Sequence, residues 1–314
     1  RLIREFETEL AIIKGRVDGL EARVGELEAT QFSTTTKLNG VASFVMGANR
    51  FEGSSSHLRR SSNADYGATV FNYDLQLALE TSFTGKDQLL TVLRAGNFDD
   101  ESSFGGGEPS GLSVLETAYQ SEAGANVLEI DKLFYAFPVG EAITITAGPV
   151  VAQDDMLAVM PSFYLSDPIL DLFTANGAPG AYNKNQGAGV GISWAPGNGL
   201  SASVNYVAAN GAISNSSEGG FATDYAAGTG TVQLAWEGEG WAIAAIYSKI
   251  QNGHELIEYA TPFTQEHLND DGVTHAFGLG GAWSPEQGGW VPSMSLGWGI
   301  NNSDVKHSGE VRTS

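Results

Sequence analysis

The stretch TVFNYDLQLALETSF, residues 69–83, decides the fold. Read in steps of two, one face carries Thr69, Phe71, Tyr73, Leu75, Leu77, Leu79 and Phe83, and the other Asn72, Asp74, Gln76, Glu80 and Ser82. Successive side chains of a strand point to opposite faces, so this is a strand with one apolar and one charged side, a boundary between two environments. The same rhythm sets Leu38, Ala42, Phe44 and Met46 against Lys37, Asn39 and Ser43, and Leu200, Ala202, Val204 and Tyr206 against Ser201, Ser203 and Asn205. It recurs in GISWAP, TVQLAW, WAIAAIYSK, HAFGLGGAW and PSMSLGWGI. In the last two, the second face is mostly Gly, Ala and Ser, too small to build half of a sandwich core, and is therefore expected to meet water.

Eleven such strands are predicted, near residues 34–49, 68–83, 87–97, 127–137, 141–150, 187–195, 199–209, 229–237, 241–250, 273–284 and 290–300. Their connections alternate between long and short. FEGSSSHLRRSSNADY, FDDESSFGGGEPSG and residues 151–186 are long, whereas tight turns fall at Thr84-Gly85-Lys86, Pro138-Val139-Gly140, Pro196-Gly197-Asn198, Glu237-Gly238-Glu239-Gly240 and Pro285-Glu286-Gln287-Gly288-Gly289. One rim of turns and one of long loops, on strands of about ten residues with apolar-out, polar-in alternation, predicts an all-β transmembrane antiparallel barrel of the bacterial outer-membrane type. Phe83, Phe137, Trp194, Tyr206, Trp236, Trp241, Tyr247, Trp283 and Trp290, near strand ends, suit its interfacial girdles.

Composition agrees. The 314 residues include 40 glycines and 16 basic against 37 acidic residues, and mean hydropathy is near zero. No run of about eighteen apolar residues offers a transmembrane helix. The absence of cysteine removes disulfides and thiolate chemistry. A net charge of −21 argues against nucleic acid as a partner.

Ahead of the first strand the period changes. Ile3, Phe6, Leu10, Ile13, Val17, Leu20, Val24 and Leu27 are spaced three and four apart through four heptads, a coiled-coil seam. With Ile3, Leu10, Val17 and Val24 at the a positions, the flanking pairs are Glu9 with Lys14, Arg16 with Glu21 and Arg23 with Glu28, all of opposite charge. They face each other only between parallel chains in register, so the helix predicts a parallel homo-oligomer of open strand number. The alternative is an amphipathic helix packed on its own domain. Strand one begins where the helix ends and leads to a long loop. Residues 1–30 are thus expected as a periplasmic stalk on the short-turn side, and 31–314 as the barrel. The sequence opens at Arg1 without a Met or signal peptide, and an odd, unclosed sheet would leave bare edges in lipid, so more chain is expected at both ends.

The segment IREFETELAIIKGRVDGLEARVGELEATQFSTTTKLNG (residues 3–40), with LRAGNF (93–98), LFYAFPVG (133–140) and NQGAGVGISW (185–194), resembles cyanobacterial outer-membrane porins related to the OprB carbohydrate-porin family. The resemblance implies a sixteen-stranded complete barrel, a homotrimer in outer-membrane lipid, and an upstream S-layer-homology domain binding peptidoglycan-linked polysaccharide. It also implies a passive channel for ions and small hydrophilic solutes, since cyanobacterial members look like general or ion-conducting channels.

Selectivity then belongs to whatever narrows the pore. Residues 151–186 carry Asp154, Asp155, Asp167 and Asp171 against Lys184, with apolar Met156, Leu157, Met160, Phe163, Leu170 and Phe173 that would be out of place on an exposed loop. Such a loop is expected to fold inward and place an acidic, cation-preferring constriction. The aspartates read equally well as helix caps and turn formers, as Ser166-Asp167-Pro168 suggests. Lys37, Asp74, Glu80, Arg94 and Lys132 are the candidate charges of the pore wall.

Nothing points to catalysis, a cofactor or a metal. His254-Glu255 lacks the second histidine of a zinc-protease helix, and His267, Asp270, Asp271 and His275 sit in a polar loop entering a strand. Gly187-Ala188-Gly189-Val190-Gly191 lacks the helix of a dinucleotide loop and, in a strand, means close packing or room in the lumen. A rim enzyme would need a nucleophile and base that are not evident, and a structural envelope-to-wall tether of low conductance is the other alternative.

Overall fold

The computed structural model describes residues 19, 36–105, 113–162, 170–252, 272–284, 293–305 and 309–313. The seam from Ile3 to Leu27 lies outside them. So do Asp167 and Trp290 and, of the residues weighed for metal chemistry, all but His275.

The alternating segments form one antiparallel sheet in which every strand pairs with its neighbours in chain order. The strands are β1 (Thr36–Gly47), β2 (Val70–Thr81), β3 (Gln88–Gly96), β4 (Glu129–Val139), β5 (Ile143–Ala152), β6 (Gln186–Trp194), β7 (Leu200–Ala208), β8 (Gly228–Gly238), β9 (Trp241–Gln251), β10 (Val273–Trp283), β11 (Met294–Val305) and β12 (Gly309–Thr313). A helix, α1 (Ser56–Tyr66), lies in the first long connection and buries no side chain.

Two differences from the expected strands have physical causes. β11 begins and ends later than the alternation suggested, because its ladder with β10 runs from Trp283 opposite Met294 to Val273 opposite Asp304 and carries polar Asn301 to Asp304 into the sheet. Beyond it, Gly309–Thr313 pairs with β11 as a short twelfth strand, where eleven were counted.

Short turns are built by backbone freedom and local acceptors. At the β2–β3 turn Gly85 takes φ +78°, while Asp87 accepts from the backbone N–H and hydroxyl of Thr84, from Ser82 Oγ and from Tyr135 Oη. These hydrogen bonds, Thr84 first and Tyr135 next, hold its carboxyl well below the usual carboxylate range.

One face of the sheet exposes Phe44, Phe71, Val204, Val232, Leu234, Ile243, Phe277, Leu279, Leu296 and Trp298, the pattern of a lipid-facing wall. The opposite, inner face of β7–β10 is largely buried, which corrects for β10 the expectation of a water-facing surface drawn from its small residues, while Gly297 of β11 stays exposed. Ala276 is completely buried, and a Cβ at Gly278 would stand 2.8 Å from that of Ala178. The connection between β5 and β6 lies over this face, and small wall residues leave room for it. At Gly297 the approach is closest, since an added Cβ would meet the Asn176 carbonyl oxygen at 1.6 Å.

Candidate functional site

The described residues between 153 and 185 are held on the inner face through their backbone. Gln153, fully buried, donates from Nε2 to Ala181 O, Thr231 Oγ1 and Ser248 Oγ, at 2.7, 2.8 and 3.1 Å. Its own carbonyl accepts from Asn205 Nδ2, and its side-chain oxygen from the Lys184 N–H. Gln233 is bonded to both the N–H and the carbonyl of Val159, and Ser203 Oγ accepts from the Ala158 N–H. The polar inner positions of β7, β8 and β9 thus satisfy a loop backbone that would otherwise be buried unpaired. Apolar contacts complete the seat: Met156 with Phe134, Val151 and Val207, and Tyr182 with Ala178, Ile246 and Ala276. Gly191, in the glycine-rich strand β6, lies under Met156, so close packing accounts for it.

The loop carries its aspartates to charges on the wall and on a second loop. Asp155 accepts from Lys132 Nζ at 2.5 Å and from the Ala152 N–H at 3.0 Å. Asp154 opens a 3-10 turn, Asp154–Met156, with Oδ1 buried and unbonded to protein. Burial pushes its carboxyl above the usual range, and Lys132 opposes this. Asp171 opens a second such turn, Asp171–Phe173. Both turns agree with the turn-former reading of these residues, and ion pairs show that Asp155 and Asp171 also engage cations.

The connection between β3 and β4 reaches the same place. Leu115 and Leu170 form an isolated antiparallel bridge, and the Asp171 N–H donates to Val114 O at 3.0 Å. Lys184 Nζ lies 2.6 Å from each Glu116 oxygen and 3.4 Å from Asp171 Oδ1, and it also bonds Thr174 Oγ1. Burial, then hydrogen bonding to Asp171, raises the Glu116 carboxyl to about 7 against the pull of Lys184. Glu116 therefore takes up a proton near neutrality.

On the wall, Asp74 is buried and bonded by Arg94 through Nε at 2.8 Å and Nη2 at 3.1 Å, by Gln76 at 2.7 Å, and by Thr117 of the β3–β4 connection at 3.2 Å. Arg94 also stacks on Tyr119, 4.4 Å from the ring centre, and lies 3.9 Å from Asp131.

The family described as "Carbohydrate-selective porin, OprB family" matches residues 1–254. The chain belongs to that family. It is 34% identical over 261 residues to an uncharacterized protein, alr4550, of Nostoc sp., covering 79% of this chain and 43% of that one. It is 31% identical over 211 residues to another, sll0772, of Synechocystis sp., covering 67% and 36%. The chain thus spans less than half the length of these curated relatives. Among solved structures it is similar to a triple mutant of the Rhodopseudomonas blastica porin (13% identity, TM-score 0.42, covering 88% of this chain and 76% of that one). It is also similar to a loop-deletion mutant of OmpT, an outer membrane protein of Vibrio cholerae (7%, TM-score 0.44, 87% and 72%).

Within this OprB-family chain the structure gathers Asp74, Arg94, Lys132, Asp154, Asp155, Asp171 and Lys184 around the two loops. It does not bring Lys37 or Glu80 there. These two pair with each other in register at the short-turn end, and Glu80, bonded by Asn39, is six residues or about 20 Å along β2 from Asp74. Nor do the basic residues stand alone opposite an acidic loop, since each cation in the group has its own carboxylate. Glu116, Thr117, Tyr119 and Asp131 were missed. The signal was present: Val114, Leu115 and Tyr119 are apolar anchors in a nominally exposed loop, the criterion that singled out residues 151–186.

Proposed function

We propose that the chain forms the barrel portion of an outer-membrane porin, a passive, cation-preferring channel for inorganic ions and small hydrophilic solutes. The observation that carries this reading is the meeting of two inward-folded connections over the inner wall. There six carboxylates, Asp74, Glu116, Asp131, Asp154, Asp155 and Asp171, accompany three cations, Arg94, Lys132 and Lys184. Charges arranged on both sides of a narrowed, partly desolvated passage raise the local concentration of the opposite ion, and here the excess is negative. The family description supplies carbohydrate as a further solute class. Membership of a porin family assigns a channel rather than an enzyme. In this reading residues 1–30 are a periplasmic coiled-coil stalk of a trimer, tethered through an upstream domain to cell-wall polysaccharide.

Planar-bilayer recording in a salt gradient tests the ion preference. Changing Asp154, Asp155, Asp167 and Asp171 together to Asn removes charge at nearly constant volume, so the reversal potential is expected to move towards zero with little change in conductance. The shift should grow at low ionic strength, where the Debye length exceeds its value of roughly 8 Å in physiological salt. A common reversal potential at every salt concentration refutes the assignment.

A further inference from the structure

The outer face of β6–β11 is organised in rows by the strand register. One row runs Ile192, Val204, Val232, Tyr247, Phe277, Ile300 and is wholly apolar or aromatic. The next row, two residues nearer the long loops, runs Val190, Tyr206, Gly230, Lys249, His275, Asn302. Here the character of the wall changes from apolar to polar and basic.

Lys249 is exposed and, among the described residues, makes no hydrogen bond or ion pair. Its neighbour His275 is held in place: the ring stacks on Tyr247 at 6.1 Å and 19°, and Nδ1 is hydrogen-bonded to the Tyr247 hydroxyl at 2.7 Å. That leaves Nε2 for an outside partner. Tyr247 in turn packs on Phe277 at 4.8 Å, so an aromatic ledge lies directly below the two nitrogen groups. On the other side of Lys249, Gly230 leaves a notch, since a Cβ there would find only Tyr206, at 3.9 Å.

Among the described residues, the nearby carboxylates do not satisfy the lysine. Asp304 lies in the next row but two strands away, about 10 Å laterally and so beyond a Debye length of roughly 8 Å. Asp224, whose carbonyl accepts from Gln251 Nε2, makes no ion pair with Lys249. In a chain of net charge −21, a lysine without an ion-pair partner among the described residues, beside a fixed histidine on the membrane-facing wall, stands out.

Depth identifies what these groups face. Between Trp241 at the short-turn end and Lys249 are eight residues, about 26 Å along a strand whose tilt is 35–45°, roughly 20 Å of height. The apolar band of such barrels is about 25 Å tall, and a lysine stem extends towards the interface from below its edge. The row is continuous with the lipid-facing surface, lies on the long-loop side, and is basic. We infer that Lys249 and His275 form a binding site for the anionic headgroup of an outer-leaflet lipid, whose acyl chains lie on the Tyr247–Phe277 ledge.

This inference rests on the outer-membrane reading and is independent of ion preference. The complete protein is reconstituted in vesicles of phosphatidylcholine with a minor share of phosphatidylglycerol, and the lipids retained after detergent extraction are counted by native mass spectrometry. The parent should retain phosphatidylglycerol several-fold above its bulk share. The double variant Lys249→Gln, His275→Gln should fall to the bulk share, while Lys249→Arg, and Lys86→Gln at the opposite rim, keep the enrichment. Equal enrichment in parent and double variant, or none in the parent, overturns the site. Bilayer conductance of the same preparations separates the two readings: a conducting parent without enrichment refutes the lipid site alone, whereas a parent that neither inserts nor conducts refutes the membrane assignment as well.

Discussion

Lys184 touches carboxylates from two different loops, and Glu116 and Asp171 compete for its charge. A carboxyl raised to about 7 from an ordinary 4.5 has a definite consequence for pH dependence. Above neutrality the trio of Glu116, Asp171 and Lys184 carries one net negative charge, and protonation of Glu116 cancels it. Cation preference is therefore expected to be weaker at pH 6 than at pH 8, and Glu116→Gln should flatten that step in reversal-potential measurements. The folded chain holds this proton more tightly than the unfolded chain does. Linked stability thus falls as pH rises from about 4.5 through about 7 and recovers on acidification. A parent and a Glu116→Gln variant with the same pH profile would exclude Glu116 as the titrating group.

At the scale of the element, the β5–β6 connection is a buried loop whose backbone is satisfied by the wall. Gln153 is the centre of that arrangement, with three donor contacts and two acceptor contacts. Gln153→Ala leaves the Lys184 N–H without its partner, and one buried unsatisfied group costs about 1–3 kcal/mol. Earlier thermal unfolding and noisier single-channel current are the expected results, measured by heat-dependent gel mobility and bilayer recording. Gly297→Val is more severe, because its Cβ cannot coexist with the Asn176 carbonyl, and it should widen the channel by displacing the loop. Unchanged conductance in Gly297→Val would show that the loop does not narrow the passage. The alternation in residues 69–83 and its repeats made the strands legible. It could not tell a polar inner position facing water from one facing another segment, since Ser203, Thr231 and Gln233 satisfy either partner equally well. Small residues on β10 and β11 misled for the same reason: room in a wall serves a solvent channel or a docked loop.

At the scale of the whole molecule, the relatives are more than twice as long as the stretch they share with this chain, so assembly is a matter for the complete protein. The charges flanking the heptad seam are complementary only between parallel helices in register. With three subunits taken from the family resemblance and parallel stalks from the seam, the detergent-solubilised protein should sediment as a trimer with its stalks side by side. A stable monomer with an ordered stalk helix would contradict both the trimer and the parallel seam.

The sequence by itself determined the sheet, the sidedness of its connections and the lipid-facing surface. Each follows from local periodicity and connection length, and a two-residue period leaves few alternatives for where an apolar row can face. Only the tertiary structure decided which charges meet. Asp74 with Arg94, Lys132 with Asp155, and Glu116 with Lys184 are separated by 20, 23 and 68 residues. Their pairing depends on strand register and on where two long loops come to rest, and long-range packing sets both.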